Sequence, residues 1–139
     1  MAEKMTGFDR RREAFEKSYL AKDWDEAIKL GEKLRWDFPE QFQEYRRLTN
    51  RLASAYRHRG IANRRVGVFD DAIADFTKAI EIRPNFHQAY LSRGLIYPRK
   101  KDYDKAIADI NKAIELAPDY ANAYYSRGNI YVELGEIDK

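Results

Sequence analysis

Apolar residues recur along this chain at two spacings, one short and one long. Within each segment they stand three or four positions apart, as on one face of an α-helix. Over longer distances a similar pattern returns every 34 residues. The repeated positions are Tyr56, Gly60, Phe69, Ala72, Phe76, Ala79 and Pro84, followed by Tyr90, Gly94, Tyr103, Ala106, Ile110, Ala113 and Pro118. This period predicts stacked helical hairpins, because one hairpin cannot bury its apolar face alone.

The repeated segments resemble the bacterial form of the tetratricopeptide repeat family. Residues 72–94, AIADFTKAIEIRPNFHQAYLSRG, and residues 106–128, AIADINKAIELAPDYANAYYSRG, carry the resemblance, which extends over residues 53–139. It implies an all-α fold, a right-handed α-solenoid of antiparallel helix hairpins. It also implies that the first helix of each hairpin lines a concave groove in which a protein or peptide partner binds.

The apolar stripes predict about seven helices. They cover approximately residues 8–21, 23–36, 40–65, 70–82, 85–96, 103–116 and 120–134. The third would be one long helix of roughly 40 Å. The fifth should end early, because Pro98 disfavours a helix and Lys101 stands where Gly67 and Gly135 supply a turn glycine. We therefore expect PRKKD, residues 98–102, to form an irregular basic loop.

We expect a single domain over residues 1–139 with unequal repeats. Its parts are a degenerate repeat at 8–41, a helical insertion at 42–52, repeats at 53–86 and 87–120, and a truncated repeat at 121–139. In the degenerate repeat, Phe15 replaces the glycine and Gly31 replaces the large residue of the second helix, so packed volume could be kept. The last helix lacks a hairpin partner, which predicts an exposed apolar flank and possible self-association into a homo-oligomer.

Composition narrows the possible functions. A hydrophobic fraction of 44% with 35% charged residues is typical of a soluble globular protein. The chain has no cysteine, and its glycines do not form a phosphate-binding loop. We expect no catalysis, no cofactor and no metal, with His58 and His87 facing solvent. No apolar run approaches the ~20 residues of a membrane span, so we expect a cytoplasmic protein.

Positive charge is concentrated between Tyr45 and Phe69, where no Asp or Glu occurs. The seven arginines there are Arg46, Arg47, Arg51, Arg57, Arg59, Arg64 and Arg65. Arg46, Arg57 and Arg64 nearly coincide on a helical wheel, opposite the apolar stripe. Two interpretations stay open: a solvated face neutralised by acids of neighbouring helices, or a site that grips carboxylates or phosphates.

Three arginines also recur at the repeat spacing, each directly before a glycine. They are Arg59, Arg93 and Arg127. Because repetition alone explains them, we interpret them as structural residues whose alkyl stems pack along a helix while their charged heads stay in water.

The family resemblance also indicates which positions would face the groove. The candidate partner-binding residues are Arg57, Ile61, Arg64, Arg65, Gln88, Leu91, Leu95, Arg99, Asn122, Tyr125 and Asn129. Such a groove would be basic at one end and apolar in its middle, which favours an acidic peptide or protein segment. The clamp positions of chaperone-binding members hold Arg57, Ile61 and Ser92 among others, which argues against an Hsp70 or Hsp90 tail. The alternatives are nucleic acid along the arginines, and self-assembly.

Overall fold

The computed structural model describes residues 4–135, and within that range the chain contains helices and no strand. The α-helices are α1 (Gly7–Leu20), α2 (Trp24–Asp37), α3 (Pro39–Glu44), α4 (Arg46–Arg65), α5 (Phe69–Ile82), α6 (His87–Gly94), α7 (Tyr103–Leu116) and α8 (Ala121–Glu133), with a 3₁₀ turn at Tyr97–Lys100. Helices pack in pairs, α1 on α2, α4 on α5 and α6 on α7. Contacts of α2 with α4, α5 with α6 and α7 with α8 stack the pairs into an α-solenoid, as predicted.

Short polar side chains fix where several helices begin. The hydroxyl of Thr6 accepts a hydrogen bond from the backbone N–H of Asp9, whose carboxylate accepts one from the N–H of Thr6. Asp23 caps α2 and Asp102 caps α7 by accepting from the N–H three residues further on. These contacts satisfy backbone donors that have no partner within the helix.

One residue in the turn of each of the three hairpins, and one residue directly after α8, has a positive φ. The angles are 60° at Lys22, 83° at Gly67, 58° at Lys101 and 69° at Gly135. The last three are separated by the 34-residue period. Lys22 precedes Gly67 by 45 residues, eleven more than this period. The repeat boundaries themselves stay a prediction. Lysine takes the left-handed conformation at a cost of about 1–2 kcal/mol, which glycine avoids.

The long helix predicted over residues 40–65 is interrupted, so this prediction is corrected. Residues 39–44 form α3, Tyr45 is non-helical at φ −97° and ψ 88°, and α4 begins at Arg46. Packing explains the break: Phe42 and Leu48 are both buried in one core cluster, whereas Tyr45 is 43% exposed and its ring stacks on Phe8 at 5.6 Å. The twenty residues of α4 span about 30 Å.

The early end predicted for the helix before Pro98 is confirmed, since α6 stops at Gly94. The segment after it is more regular than expected. Tyr97–Lys100 form a 3₁₀ turn, and Ile96 before it is fully buried with Ala72 and Phe76. Proline fits the first turn of such a helix because no backbone donor is required there.

Three core clusters hold the helices together. The first joins α1 to α6 around Phe15, Leu34 and Leu52, the second joins α6 to α8 around Ile110, and the small third cluster contains Ala72, Phe76 and Ile96. A Cβ on Gly31 would lie 2.8 Å from the ring of Phe15. In the first hairpin Phe15 stands where the later hairpins have a glycine, and Gly31 stands where they have a large residue. These two residues pack against each other.

Candidate partner-binding groove

A basic pocket lies where the end of α4, the start of α5 and the segment after α6 meet. It has a volume of about 640 Å³. Its lining residues are Arg64, Arg65, Val66, Gly67, Phe69, Leu95, Ile96 and Arg99. Four of the predicted groove residues therefore share one pocket, and the positive φ of Gly67 turns the chain at its edge.

The basic pocket combines positive charge with an apolar lining. Arg64, Arg65 and Arg99 form no ion pair with any carboxylate of residues 4–135. The guanidinium carbon of Arg99 lies 5.9 Å from the ring centre of Phe69, within the range of a cation–π contact. The pocket is thus suited to an anionic group that stands next to an apolar side chain.

A second pocket adjoins the first and extends the groove toward α8. It has a volume of about 460 Å³ and shares Leu95 and Arg99 with the basic pocket. Its other lining residues are Pro98, Tyr103, Ser126, Asn129, Ile130 and Glu133. We call it the polar pocket. Because Glu133 lies in it, the charge along the groove changes from positive at α4 toward negative at α8.

Arg57 and Gln88 contribute unsatisfied polar atoms. Nε of Arg57 and Oε1 of Gln88 are buried and have no hydrogen-bond partner within residues 4–135. Burial lowers the pKa of Arg57, and Arg64 adds to that shift while Tyr120 opposes it. Buried polar groups nearly always have a partner, so these two atoms are exceptions, and neither residue lines the basic pocket or the polar pocket.

The remaining predicted groove residues differ in exposure. Ile61 is half-buried, and Asn122, Asn129 and Tyr125 are exposed on α8, the last at 73%. Leu91 is only 5% exposed and packs in the second core cluster, because it faces α7 and α8 rather than solvent. Its side chain therefore offers a partner little surface.

Both histidines pack against aromatic rings, so the expectation that they face solvent is wrong. His58 stacks on Trp24 at 4.5 Å with an angle of 11° between the rings, and His87 meets the ring of Tyr120 edge-on at 5.0 Å. Burial lowers the pKa of each histidine, and the positive charge of Arg57 adds to both shifts. Within residues 4–135, no three His, Asp or Glu side chains come together as a metal ion would require.

Two buried arginine–aspartate pairs connect the first and second helices of the repeated hairpins. Nη2 and Nε of Arg59 donate to the two carboxylate oxygens of Asp75 at 2.8 and 3.0 Å. The same two groups of Arg93 donate to Asp109 at 2.8 Å each. These hydrogen bonds raise the pKa of both arginines. Such bidentate pairs are among the stronger polar contacts in proteins.

These pairs correct the prediction that the heads of Arg59 and Arg93 lie in water. The aspartates were missed in the sequence although a signal was present. Asp75 and Asp109 recur at the repeat spacing, each sixteen residues after its arginine. Two opposite charges that repeat together at a fixed separation indicate a contact repeated in every hairpin.

Neighbouring acids neutralise much of the charge on α4. Arg47 and Arg51 lie 2.7 and 3.5 Å from the carboxylate of Glu16. Arg59 contacts Asp25 as well as Asp75. Within residues 4–135, three of the seven clustered arginines are therefore paired. The unpaired ones lie at the start of α4 and toward the groove, so they do not form one continuous basic ridge.

None of the helices in residues 4–135 is both long enough and apolar enough to cross a membrane.

Comparison with known families gives two matches in the second half of the chain. A model described as "TPR repeat" matches residues 96–135, and a model described as "Tetratricopeptide repeat" matches residues 76–108. No match is found among curated proteins.

Several solved structures share the fold. One titled "Crystal structure of MamA" is 24% identical, covers 98% of this chain and 89% of its own, and has a TM-score of 0.59. The "Arabidopsis OM64 TPR domain" is 24% identical over 91% of this chain and 95% of its own, also with a TM-score of 0.59. The "First TPR of Spaghetti (RPAP3)", bound to an HSP90 peptide, is 23% identical over 90% of each chain, with a TM-score of 0.56.

Proposed function

The chain is a tetratricopeptide repeat protein, and on this premise we propose that it is a non-enzymatic scaffold that binds a peptide segment of a protein partner in its groove. The segment carries an acidic residue next to an apolar one. The acidic residue binds in the basic pocket between α4 and the 3₁₀ turn, and the chain of the peptide continues toward α8.

The basic pocket is the observation that carries this proposal. Arg64, Arg65 and Arg99 stand around a cavity that is also lined by Leu95, Ile96 and Phe69. Desolvating three positive charges without a counterion is costly, so the site favours an occupant that brings a carboxylate. The apolar lining favours an aliphatic or aromatic side chain beside it.

The polar pocket supports a peptide rather than a small anion, because it extends the groove from the basic pocket toward α8 and shares Leu95 and Arg99 with it. Glu133, in the polar pocket, adds a preference for a neutral or basic residue further along the segment.

The structural comparison supports the class of ligand without naming it. The first TPR of Spaghetti (RPAP3) is bound to an HSP90 peptide, so the fold can present a peptide groove. This sequence lacks the set of residues expected at the clamp positions of chaperone-binding members. We therefore do not propose an HSP90 peptide as its ligand. Nucleic acid is less favoured, since Arg47, Arg51 and Arg59 are paired with carboxylates.

The proposal can be tested with a labelled peptide that presents Leu between two Glu residues. Reversing two charges of the basic pocket, Arg64→Glu with Arg65→Glu, should weaken binding at least about tenfold, as expected when charge-assisted hydrogen bonds are replaced by repulsion. The measurement is fluorescence anisotropy, with circular dichroism to show unchanged helix content. A peptide with Gln in place of Glu should bind weakly to both proteins.

The matched control reverses two exposed arginines that do not line the basic pocket, Arg10→Glu with Arg46→Glu. It changes the net charge by the same amount and should leave the affinity nearly unchanged at physiological salt. Equal losses in the two double variants would show that only overall charge matters. No loss in the pocket variant would refute the assignment of this pocket.

A further inference from the structure

Each repeated hairpin has the same two devices for docking its second helix on its first. One is a glycine: a Cβ on Gly60 would lie 2.7 Å from the ring of Phe76, and a Cβ on Gly94 would lie 3.1 Å from Cβ of Asp109. The other is the arginine before it, which holds an aspartate of the second helix with two hydrogen bonds. The glycine permits close approach, and the arginine fixes the register.

The second helices present a matching pattern. In α5 it is formed by Ala72, Asp75, Phe76 and Ala79, and in α7 by Ala106, Asp109, Ile110 and Ala113. All eight residues are buried. The docked element is therefore a helix with Ala-x-x-Asp, then a large apolar residue, then Ala three positions later.

α8 carries the arginine and the glycine of the first helices a third time, and no helix of residues 4–135 covers the surface that they form. Arg127 and Gly128 follow Arg93 and Gly94 by 34 residues. A Cβ on Gly128 would meet nothing within 4 Å. Tyr124 is 43% exposed, whereas Tyr56 at the same repeat position is buried in the first core cluster.

Arg127 is already held in place on one side. Its Nη1 donates to Oδ1 of Asn111 at 3.0 Å, just as Nη1 of Arg93 donates to Thr77 at 3.1 Å. Its guanidinium carbon lies 5.3 Å from the ring centre of Tyr124. What differs is the carboxylate: Arg93 has Asp109, and Arg127 has no carboxylate partner within residues 4–135.

We propose that the α8 face formed by Tyr124, Arg127 and Gly128 docks one amphipathic helix of a protein partner that bears the Ala-x-x-Asp-apolar-x-x-Ala pattern. The aspartate binds Arg127, and the large apolar residue after it packs over Gly128. This surface is separate from the groove, so it does not depend on the proposed peptide ligand. Charge complementarity and the two filled copies of the same interface identify the occupant.

The probe is a capped, fluorescein-labelled peptide with the sequence of residues 103–116, YDKAIADINKAIEL. A free helix of this length is marginal in water, so titration with the whole chain should extend to about 1 mM. We expect saturable binding, weakened at least about tenfold when the aspartate that corresponds to Asp109 becomes Asn. Gly128→Leu should abolish binding, and Lys29→Leu at an exposed position of α2 should not.

A charge exchange tests the contact directly. Arg127→Asp should reduce binding of the unmodified peptide, and a peptide with Arg in place of that aspartate should bind the Arg127→Asp chain better than it binds the unchanged one. If the peptide instead displaced α7 from its own hairpin, Gly128→Leu would have no effect.

Three results would overturn the proposal. They are absence of binding up to 1 mM, binding that ignores the aspartate, and binding that survives Gly128→Leu. Light scattering provides a separate check. Self-association that is lost in Gly128→Leu would identify a second copy of this chain as the occupant, and the partner helix would be excluded.

Discussion

The hairpins α4–α5 and α6–α7 are built from nearly the same pattern, yet they differ at their ends. Both place a glycine against the second helix and both join their helices by a buried arginine–aspartate pair. In the first, α4 continues to Arg65 and the chain turns at Gly67. In the second, α6 stops at Gly94 and a 3₁₀ turn leads to a strained Lys101.

The difference separates what holds a hairpin together from what shapes its surface. The inner contacts of these two hairpins are tightly constrained, because two helices approach this closely only where a side chain is absent. The end of the first helix is less constrained, and the basic pocket forms there, between Gly67 of one hairpin and Arg99 of the next. Lys100 pairs with Asp70, which links the 3₁₀ turn back to the preceding hairpin.

The largest expected effect comes from breaking the inner ion pairs. Asp109→Ala should lower the free energy of unfolding by about 3 kcal/mol, since it leaves the half-buried Arg93 with Thr77 as its remaining partner. Asp75→Ala should cost about 2 kcal/mol, although Asp75 accepts more hydrogen bonds, because Arg59 keeps Asp25. Urea denaturation followed by circular dichroism measures both.

The control for these two substitutions is Asp104→Ala, which removes an exposed carboxylate of α7 and should change stability by less than about 0.5 kcal/mol. A greater loss for Asp75→Ala than for Asp109→Ala would mean that the number of hydrogen bonds, rather than the charge left behind, determines the cost.

The three glycines give a graded series of intermediate effects. Gly60→Ala should destabilise by about 1–3 kcal/mol, because the fully buried ring of Phe76 has no room to move. Gly94→Ala should cost less, about 1 kcal/mol, since its closest contact is 3.1 Å. Gly128→Ala should stabilise by about 0.5–1 kcal/mol through helix propensity alone. Thermal or urea unfolding measures the three changes in stability. A different order of the three would contradict the view that Gly60 and Gly94 allow the helices to approach closely.

The apolar pattern was sufficient to predict most of the helices. The predicted range 103–116 is that of α7, and the bounds of α5 and α8 differ from prediction by one residue. Because the 34-residue pattern occurs twice, the bounds of each repeated helix could be predicted from two segments of the chain. The break at Tyr45 could not be predicted in this way, because Phe42, Tyr45 and Leu48 fit one helical stripe. Only the packing of Phe8 against Tyr45 shows that the stripe is divided.

The site was predictable to a smaller extent. The sequence indicated Arg64, Arg65, Leu95 and Arg99 one by one, but their convergence on a cavity depends on where α6 ends and how the turn after it folds. Which arginines stay free is likewise a tertiary property. Arg47 and Arg51 are neutralised by Glu16, more than thirty residues earlier, so their role cannot be assigned from one helix.

The smallest expected effect tests the turn that distinguishes the two hairpins. Lys101 has φ 58° and ψ 25° at the position where Gly67 stands in the other hairpin. Lys101→Gly should stabilise the chain by about 0.5–1 kcal/mol, the relief of left-handed strain less the extra entropy of glycine in the unfolded chain. Gly67→Lys should destabilise it by a similar amount, as urea unfolding can measure. Opposite signs at the two positions would show that they share one backbone requirement. A loss of stability in Lys101→Gly would instead show that the lysine side chain contributes more to this turn than its strained backbone costs.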